Sequence, residues 1–326
     1  MKKPFYITKP AVVVRKQNTI FVVGKGFKKP VPVEHISDIY CHAPVTVKSG
    51  AVFYLSKHGV PVHYFDRYGY YRGTFWPKEH YVSGYVKIQQ MRHYIDGRKR
   101  LEIAREIARG IVWNLTKVLR YYENRKEIQD RTGKLRAIYK ALNGSKSINN
   151  TMSLESNAWI ELYNAIPEIT GIEFKERTRR PPQDEINAAI SAANNILYGT
   201  VITEIYNTYL DPSISYLHEP LERRFSLALD IADIFKPLLS VRLVFRMFNK
   251  NMFGNSDFEY LGDAVYLSEK GKRKLLREWD RTLYTTVRHR TLKSKVTYRR
   301  LIRLELYKIV KHVIGDKKYN SFKIWW

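Results

Sequence analysis

Up to about Trp76 the chain is written in short apolar and β-branched runs. PFYIT, AVVVRK, TIFVVG, PVPVEHISDIY, VPVHYFD and YGYYRGTFW are separated by Gly, Lys or Asn turns. Runs of that length and composition predict strands. One stretch, Ser49 to His58, breaks the rhythm with Ala51, Val52, Tyr54 and Leu55 ahead of Gly59, and predicts a short helix between strands. From about Tyr81 the period changes. LEIAREIARGIVWNLTKVLRYYENRKEI and TYRRLIRLELYKIVKHVIG repeat apolar positions at three and four with charges on the other face, the pattern of helices with one buried side. The predicted fold class is α+β: a small N-terminal β domain over 1–80, then a larger all-α domain over 81–326. The change of class falls between Phe75 and His80. Polar stretches at Asn143 to Asn150 and Asn249 to Asp257 read as loops, and no internal repeat is visible.

Within the helical part, the stretch from Arg179 to Pro237 holds most of the candidate chemistry. A helix entered after Pro181 and Pro182 leads to a proline-bearing loop with His218, and then to a second helix, SLALDIADIFKPLL. Asp230 and Asp233 are three apart on that second helix, so they share a face, and the loop brings His218 towards them. Two carboxylates in an otherwise apolar helix are costly unless they bind a cation or meet basic partners such as Arg223, Arg224 or Arg242. Upstream, NNTMSLESNAWIELYNAI offers Glu155, with Glu161 an equally placed carboxylate. One imidazole with carboxylates and no thiolate favours Mg²⁺ or Mn²⁺ over structural zinc.

Charge narrows the partner. The chain has 326 residues, with 57 Lys plus Arg against 31 Asp plus Glu, a net charge of +26 that predicts a polyanion partner. The basic residues are spread through a tyrosine-rich sequence rather than gathered on one amphipathic helix, which favours nucleic acid over a membrane surface. Its apolar runs are too short to span a bilayer and no signal peptide is visible, so a cytoplasmic protein is expected. A lone Cys41 cannot form an internal disulfide. Neither a P-loop nor GxGxxG after a strand is present, and HExxH and GxSxG are also missing, which removes Walker-type nucleotide hydrolysis, zinc proteolysis and serine hydrolysis. A DNA-tracking surface is expected from Arg177, Arg179, Arg180, Lys293, Lys295, Arg299 and Arg300, with Lys236 beside the acidic helix.

With those residues in hand, the chain resembles the CRISPR-associated spacer-acquisition integrase, the larger of the two universal adaptation proteins. LESNAW, RRPPQDEIN, LDPSISYLHEP, FSLALDIADIFKP and YLSEKGKRKLLREWDRTL carry the likeness in the family's order. TIFVVGKG and GYYRGTF extend it into the β domain, so the resemblance covers nearly the whole chain. It implies one divalent metal held by Glu155, His218 and Asp233, the last a glutamate more often in this family. Asp230 matches an additional aspartate beside the metal. Further implications are a homodimer formed largely through the β domains, double-stranded DNA fragments and a repeat array as substrates, and the small second adaptation protein as partner. The implied reaction is metal-dependent attack of a fragment's 3′-hydroxyl on a phosphodiester of the repeat. The alternatives are a structure-selective nuclease for branched DNA and a non-enzymatic architectural DNA-binding protein.

Overall fold

A computed structural model describes residues 2–78, 81–222 and 225–326. Its N-terminal part is built from β1 (Lys3–Ile7), β2 (Ala11–Lys16), β3 (Thr19–Gly24), β4 (Phe27–Val31), β5 (Ile36–Cys41), β6 (Val45–Val47), α1 (Ser49–Lys57), β7 (Val62–Phe65) and β8 (Tyr71–Phe75). They form two four-stranded sheets, ordered β1-β5-β7-β8 and β4-β3-β2-β6. In the first, β5 runs parallel to β1 and β7, while β8 returns antiparallel. Val13, Ile20, Val22, Ile39, Leu55 and Val62 close a core between the sheets and α1. The helix predicted at Ser49 is present, and the short strand β6 is an addition to the sequence expectation.

The helical part comprises α2 (Gly84–Ile95), α3 (Gly97–Glu123), α4 (Thr132–Ala141), α5 (Ile148–Asn164), α6 (Ile166–Thr170), α7 (Glu185–Tyr206), α8 (Ser226–Lys236) and α9 (Arg242–Asn249). After them come β9 (Phe258–Leu261), β10 (Ala264–Leu267), α10 (Glu269–Leu283), β11 (Thr286–Arg288), β12 (Lys295–Thr297) and α11 (Tyr298–Val313). The chain is therefore not purely helical after Tyr81. FEYLGDAVYL pairs Phe258–Leu261 with Ala264–Leu267 around Gly262, whose φ of +59° suits the turn of a hairpin. The stretch read as a loop at Asn143 to Asn150 already contains the start of α5, capped by Ser147. Glu79 and His80, at the expected domain boundary, lie outside the described residues.

A second and larger core surrounds α3 and α7. Helix α7 is buried along nearly its whole length, because AAISAANNILYGTVITEI is apolar all round. Gly199 on this helix lets β5 and β7 approach: a Cβ there would lie 3.1 Å from the Tyr40 ring. The two parts are also joined by buried charge. Asp38 on β5 receives Arg299 of α11 at 3.1 Å, Tyr40 Oη at 2.9 Å and Thr203 Oγ1 at 2.8 Å. Arg299 Nε also donates to Glu204 on α7 at 2.6 Å, and Arg303 meets the other Glu204 oxygen. Arg299, expected to face DNA, is thus buried between two carboxylates. The correction has a plain cause: Arg299 and Arg300 adjoin at the start of α11, so only one can turn inward, and the inner one meets Asp38 and Glu204.

Candidate metal centre and nucleic-acid surface

The loop from Leu210 to Pro220 is folded onto the N-terminal half of α8 by one carboxylate. Asp230 is fully buried, and its two oxygens accept the backbone N–H groups of Tyr216 at 2.7 Å, Leu217 at 3.0 Å and His218 at 2.9 Å. It also accepts from His218 Nδ1 at 2.8 Å. That bond fixes the tautomer. Nδ1 carries the proton of a neutral ring, and the lone pair of Nε2 is left to face Asp233 Oδ2 at 3.7 Å. Burial alone would lower the affinity of His218 for a second proton. The hydrogen bond to Asp230 and the charges of Asp233 and Asp230 more than offset it, raising the pKa to about 9.

Glu155, on α5, enters from the other side. Its side chain is half-buried, with the carboxyl turned inward and Oε1 accepting from Trp159 Nε1 one turn later at 2.6 Å. Burial and, next, the negative charge of Asp233 push its pKa up to about 7, against the Trp159 hydrogen bond and the charges of His218 and Lys236. Glu161 is engaged elsewhere, 3.2 Å from Lys134 and 3.9 Å from Arg131, so of the two glutamates only Glu155 belongs to this cluster. Asp233 is buried, and Lys236 forms an ion pair with its Oδ1. Arg242 makes no ion pair with either aspartate, and Arg223 and Arg224 lie outside the described residues.

The donor set fits a divalent cation. It offers an imidazole Nε2 that is free to coordinate once His218 releases its second proton, a buried carboxylate, and a glutamate whose protonation is raised by burial and then by the Asp233 charge, a repulsion that a cation removes. Among the described residues, no three such groups are already gathered around one point. Assembly would need Lys236 to swing away from Asp233 Oδ1.

The basic residues divide into surface and interior. Arg179, Arg180, Lys293, Lys295 and Arg300 are exposed, and Lys236 is half-buried beside Asp233. Arg177 is a second correction: its guanidinium is turned in to Asn187 Oδ1 at 2.8 Å and Ser191 Oγ at 2.9 Å on α7. Burial lowers its pKa, so it serves the fold of the segment before α7. Sequence reasoning also missed Trp159. Its spacing of four from Glu155 on a helix was the available signal.

Comparison with known proteins adds the decisive observation. Residues 5–281 match the family model described as CRISPR associated protein Cas1. This chain belongs to the Cas1 family. It is 46% identical to the CRISPR-associated endonuclease Cas1 of Methanothermobacter thermautotrophicus, over 100% of this chain and 96% of the relative. It is 42% identical to a Cas1 protein of Methanobrevibacter ruminantium, over 100% and 99% of the two chains. A solved Cas1 structure from Thermotoga maritima superposes with a TM-score of 0.89 at 34% identity, covering 98% of this chain and 100% of that one. A casposase bound to its integration product shares the fold, with a TM-score of 0.85 at 20% identity, over 98% and 92% of the two chains. The β-then-α order expected from the sequence is the one this chain adopts.

Proposed function

We propose that this chain is a divalent-metal-dependent DNA endonuclease and integrase that inserts DNA fragments into a CRISPR array. What supports this reading is membership of the Cas1 family, together with His218 Nε2 standing 3.7 Å from Asp233 and both charges acting on Glu155. Those three would hold Mg²⁺ or Mn²⁺, which when bound supplies Lewis acidity at the scissile phosphate. Asp230 keeps the Nδ1 proton of His218 in place and ties the loop down, so Nε2 points steadily at Asp233. Lys236, Arg179 and Arg180 would hold phosphates, Lys236 once it leaves Asp233. The fragment's 3′-oxygen bonds to a phosphorus of the repeat while that phosphorus loses the repeat's own 3′-oxygen, which leaves as a hydroxyl. One phosphodiester replaces another, so no nucleotide need be hydrolysed.

The partners of this reading are double-stranded DNA, a second copy of the chain bound through the β domain over 1–80, and the small second adaptation protein. Solved proteins of the same fold include a Cas1–DNA complex and an assembly with Cas2. No helix among the described residues is long and apolar enough to cross a membrane, and work in the cytoplasm follows from a DNA substrate. The test is joining. Fragments with free 3′-hydroxyls should become covalently attached to a supercoiled plasmid carrying repeats when Mn²⁺ or Mg²⁺ is present. Fragments ending in 3′-dideoxynucleotides should not. Cutting by water without joining, even with the small partner added, would favour a repair nuclease instead.

A further inference from the structure

A cleft of about 330 Å³ opens between the C-terminal end of α3, helix α9 and the start of α11, and shares no residue with the metal centre. Leu238, the first lining residue after Asp233, is five residues on along a continuous helical run, so the cleft begins about 7 Å further along that axis. Five cations line it: Arg125, Lys126, Arg242, Arg246 and Lys250. None of its lining residues is acidic. Glu278 lies 3.3 Å from Arg246, but among the described residues no carboxylate comes within ion-pair distance of Arg125, Lys126, Arg242 or Lys250. Five like charges around one concavity repel one another, and a bound dianion would relieve that repulsion.

The arginines are set in place rather than loose. The guanidinium carbon of Arg125 stands 3.9 Å from the centroid of the Tyr121 ring, and that of Arg242 stands 4.7 Å from it. Stacking of this kind orients the planar forks that match phosphate oxygens. Tyr122 and Tyr298 also line this space, and burial raises the pKa of both. No ring here is free to stack on a base: Tyr121 is taken by the two guanidinium groups, and Tyr298 stacks on Trp326 at 5.7 Å.

We propose that this cleft is a second nucleic-acid site, which takes a phosphate monoester, the 5′-terminal phosphate of a DNA strand, without regard to base sequence. The inference rests on the DNA-joining function proposed above. A free nucleotide carries the same chemical group and is the other possible source.

The test is binding of a fluorescent single-stranded oligonucleotide in EDTA, with a 5′-phosphate or a 5′-hydroxyl, compared by anisotropy. The 5′-phosphorylated strand should bind about tenfold more tightly, the worth of one charge-assisted hydrogen-bonded contact. Arg242→Gln and Lys250→Gln should each remove most of that preference and lower the slope of log K against log salt by about one. Lys250 is exposed at the end of α9, so its variant should keep the parent melting temperature. Displacement of the labelled strand by thymidine monophosphate at micromolar concentration would assign the cleft to free nucleotides. Displacement only by 5′-phosphorylated strands would assign it to strand ends. Equal affinity of the two oligonucleotides for the parent protein would overturn the proposal, as would a preference untouched in both variants. Because the metal is chelated, failure here leaves the joining reaction unchallenged. Loss of joining with the 5′-phosphate preference intact would count against the proposed function alone.

Discussion

Without its ion, the acidic cluster should weaken the fold, and replacing Glu155 by Gln should relieve that weakness. In the folded chain its carboxyl holds a proton up to about 7 rather than the ordinary 4.5, because of burial and the Asp233 charge. Holding a proton that much more tightly is worth roughly 3 kcal/mol at 1.36 kcal/mol per pH unit, or about 1–2 kcal/mol once solvent access to a half-buried side chain is allowed for. The direction follows from proton counting. Between pH 4.5 and 7 the folded state binds the proton that the unfolded chain has released, so stability falls as pH rises and the full penalty is present at pH 8. Glu155→Gln keeps an oxygen for Trp159 and carries no charge. In EDTA it should therefore melt above the parent at pH 8, by about 2 °C for a chain of this length, and by almost nothing at pH 4.5. Saturating Mn²⁺ at a hundred times its dissociation constant should raise the parent's stability by about 2.7 kcal/mol and leave the variant nearly unmoved. Scanning fluorimetry reads all of this. A variant no more stable than the parent at pH 8, or one equally stabilised at both pH values, would refute the reasoning.

Asp230→Asn should weaken Mn²⁺ binding by roughly tenfold to a hundredfold in a titration, whereas Glu155→Ala should abolish joining; equal losses in both would contradict the positioning role given to Asp230. Mn²⁺ affinity should rise with pH up to about 9, since His218 must release a proton held to about 9 and Glu155 one held to about 7; a flat profile would remove them as ligands. Binding of duplex DNA should fall with salt at a log-log slope of roughly −4 or steeper for about five contacts at Arg179, Arg180, Lys293, Lys295 and Arg300, and His218→Ala should not change it. Arg299→Gln should act on folding instead, costing about 3–5 kcal/mol in a denaturant titration by stranding Asp38 and Glu204, and a soluble variant with unchanged stability and weakened DNA binding would reverse that assignment.

Much of this architecture was legible in the chain because local patterning and tertiary structure agree. Strand runs before Trp76, the helix at Ser49 and the long amphipathic period of α3 each bury the face that their spacing marks. Asp230 and Asp233 were conspicuous because charge in an apolar helix has to be satisfied. The hairpin at Phe258–Leu267 carries no such mark, since its strands are four residues each and AVYL is an unbroken apolar run, too short to tell strand from helix. The basic residues were read least well. Sequence shows that Arg177 and Arg299 are charged, but not that Asn187, Ser191, Asp38 and Glu204 would come from distant segments to hold them inside. Trp159 was missed for a related reason. An aromatic residue four positions from a glutamate reads as core, and only the fold turns its N–H onto Glu155.

The central claim is that Glu155, His218 and Asp233 hold one ion together, and a crystal soaked in Mn²⁺ tests it most directly. The account predicts a single anomalous-scattering peak within about 2.0–2.6 Å of His218 Nε2 and of an oxygen from each carboxylate, with Lys236 displaced from Asp233. A peak that contacts the carboxylates but leaves His218 Nε2 free, or no peak between α5 and α8 at saturating Mn²⁺, would contradict it.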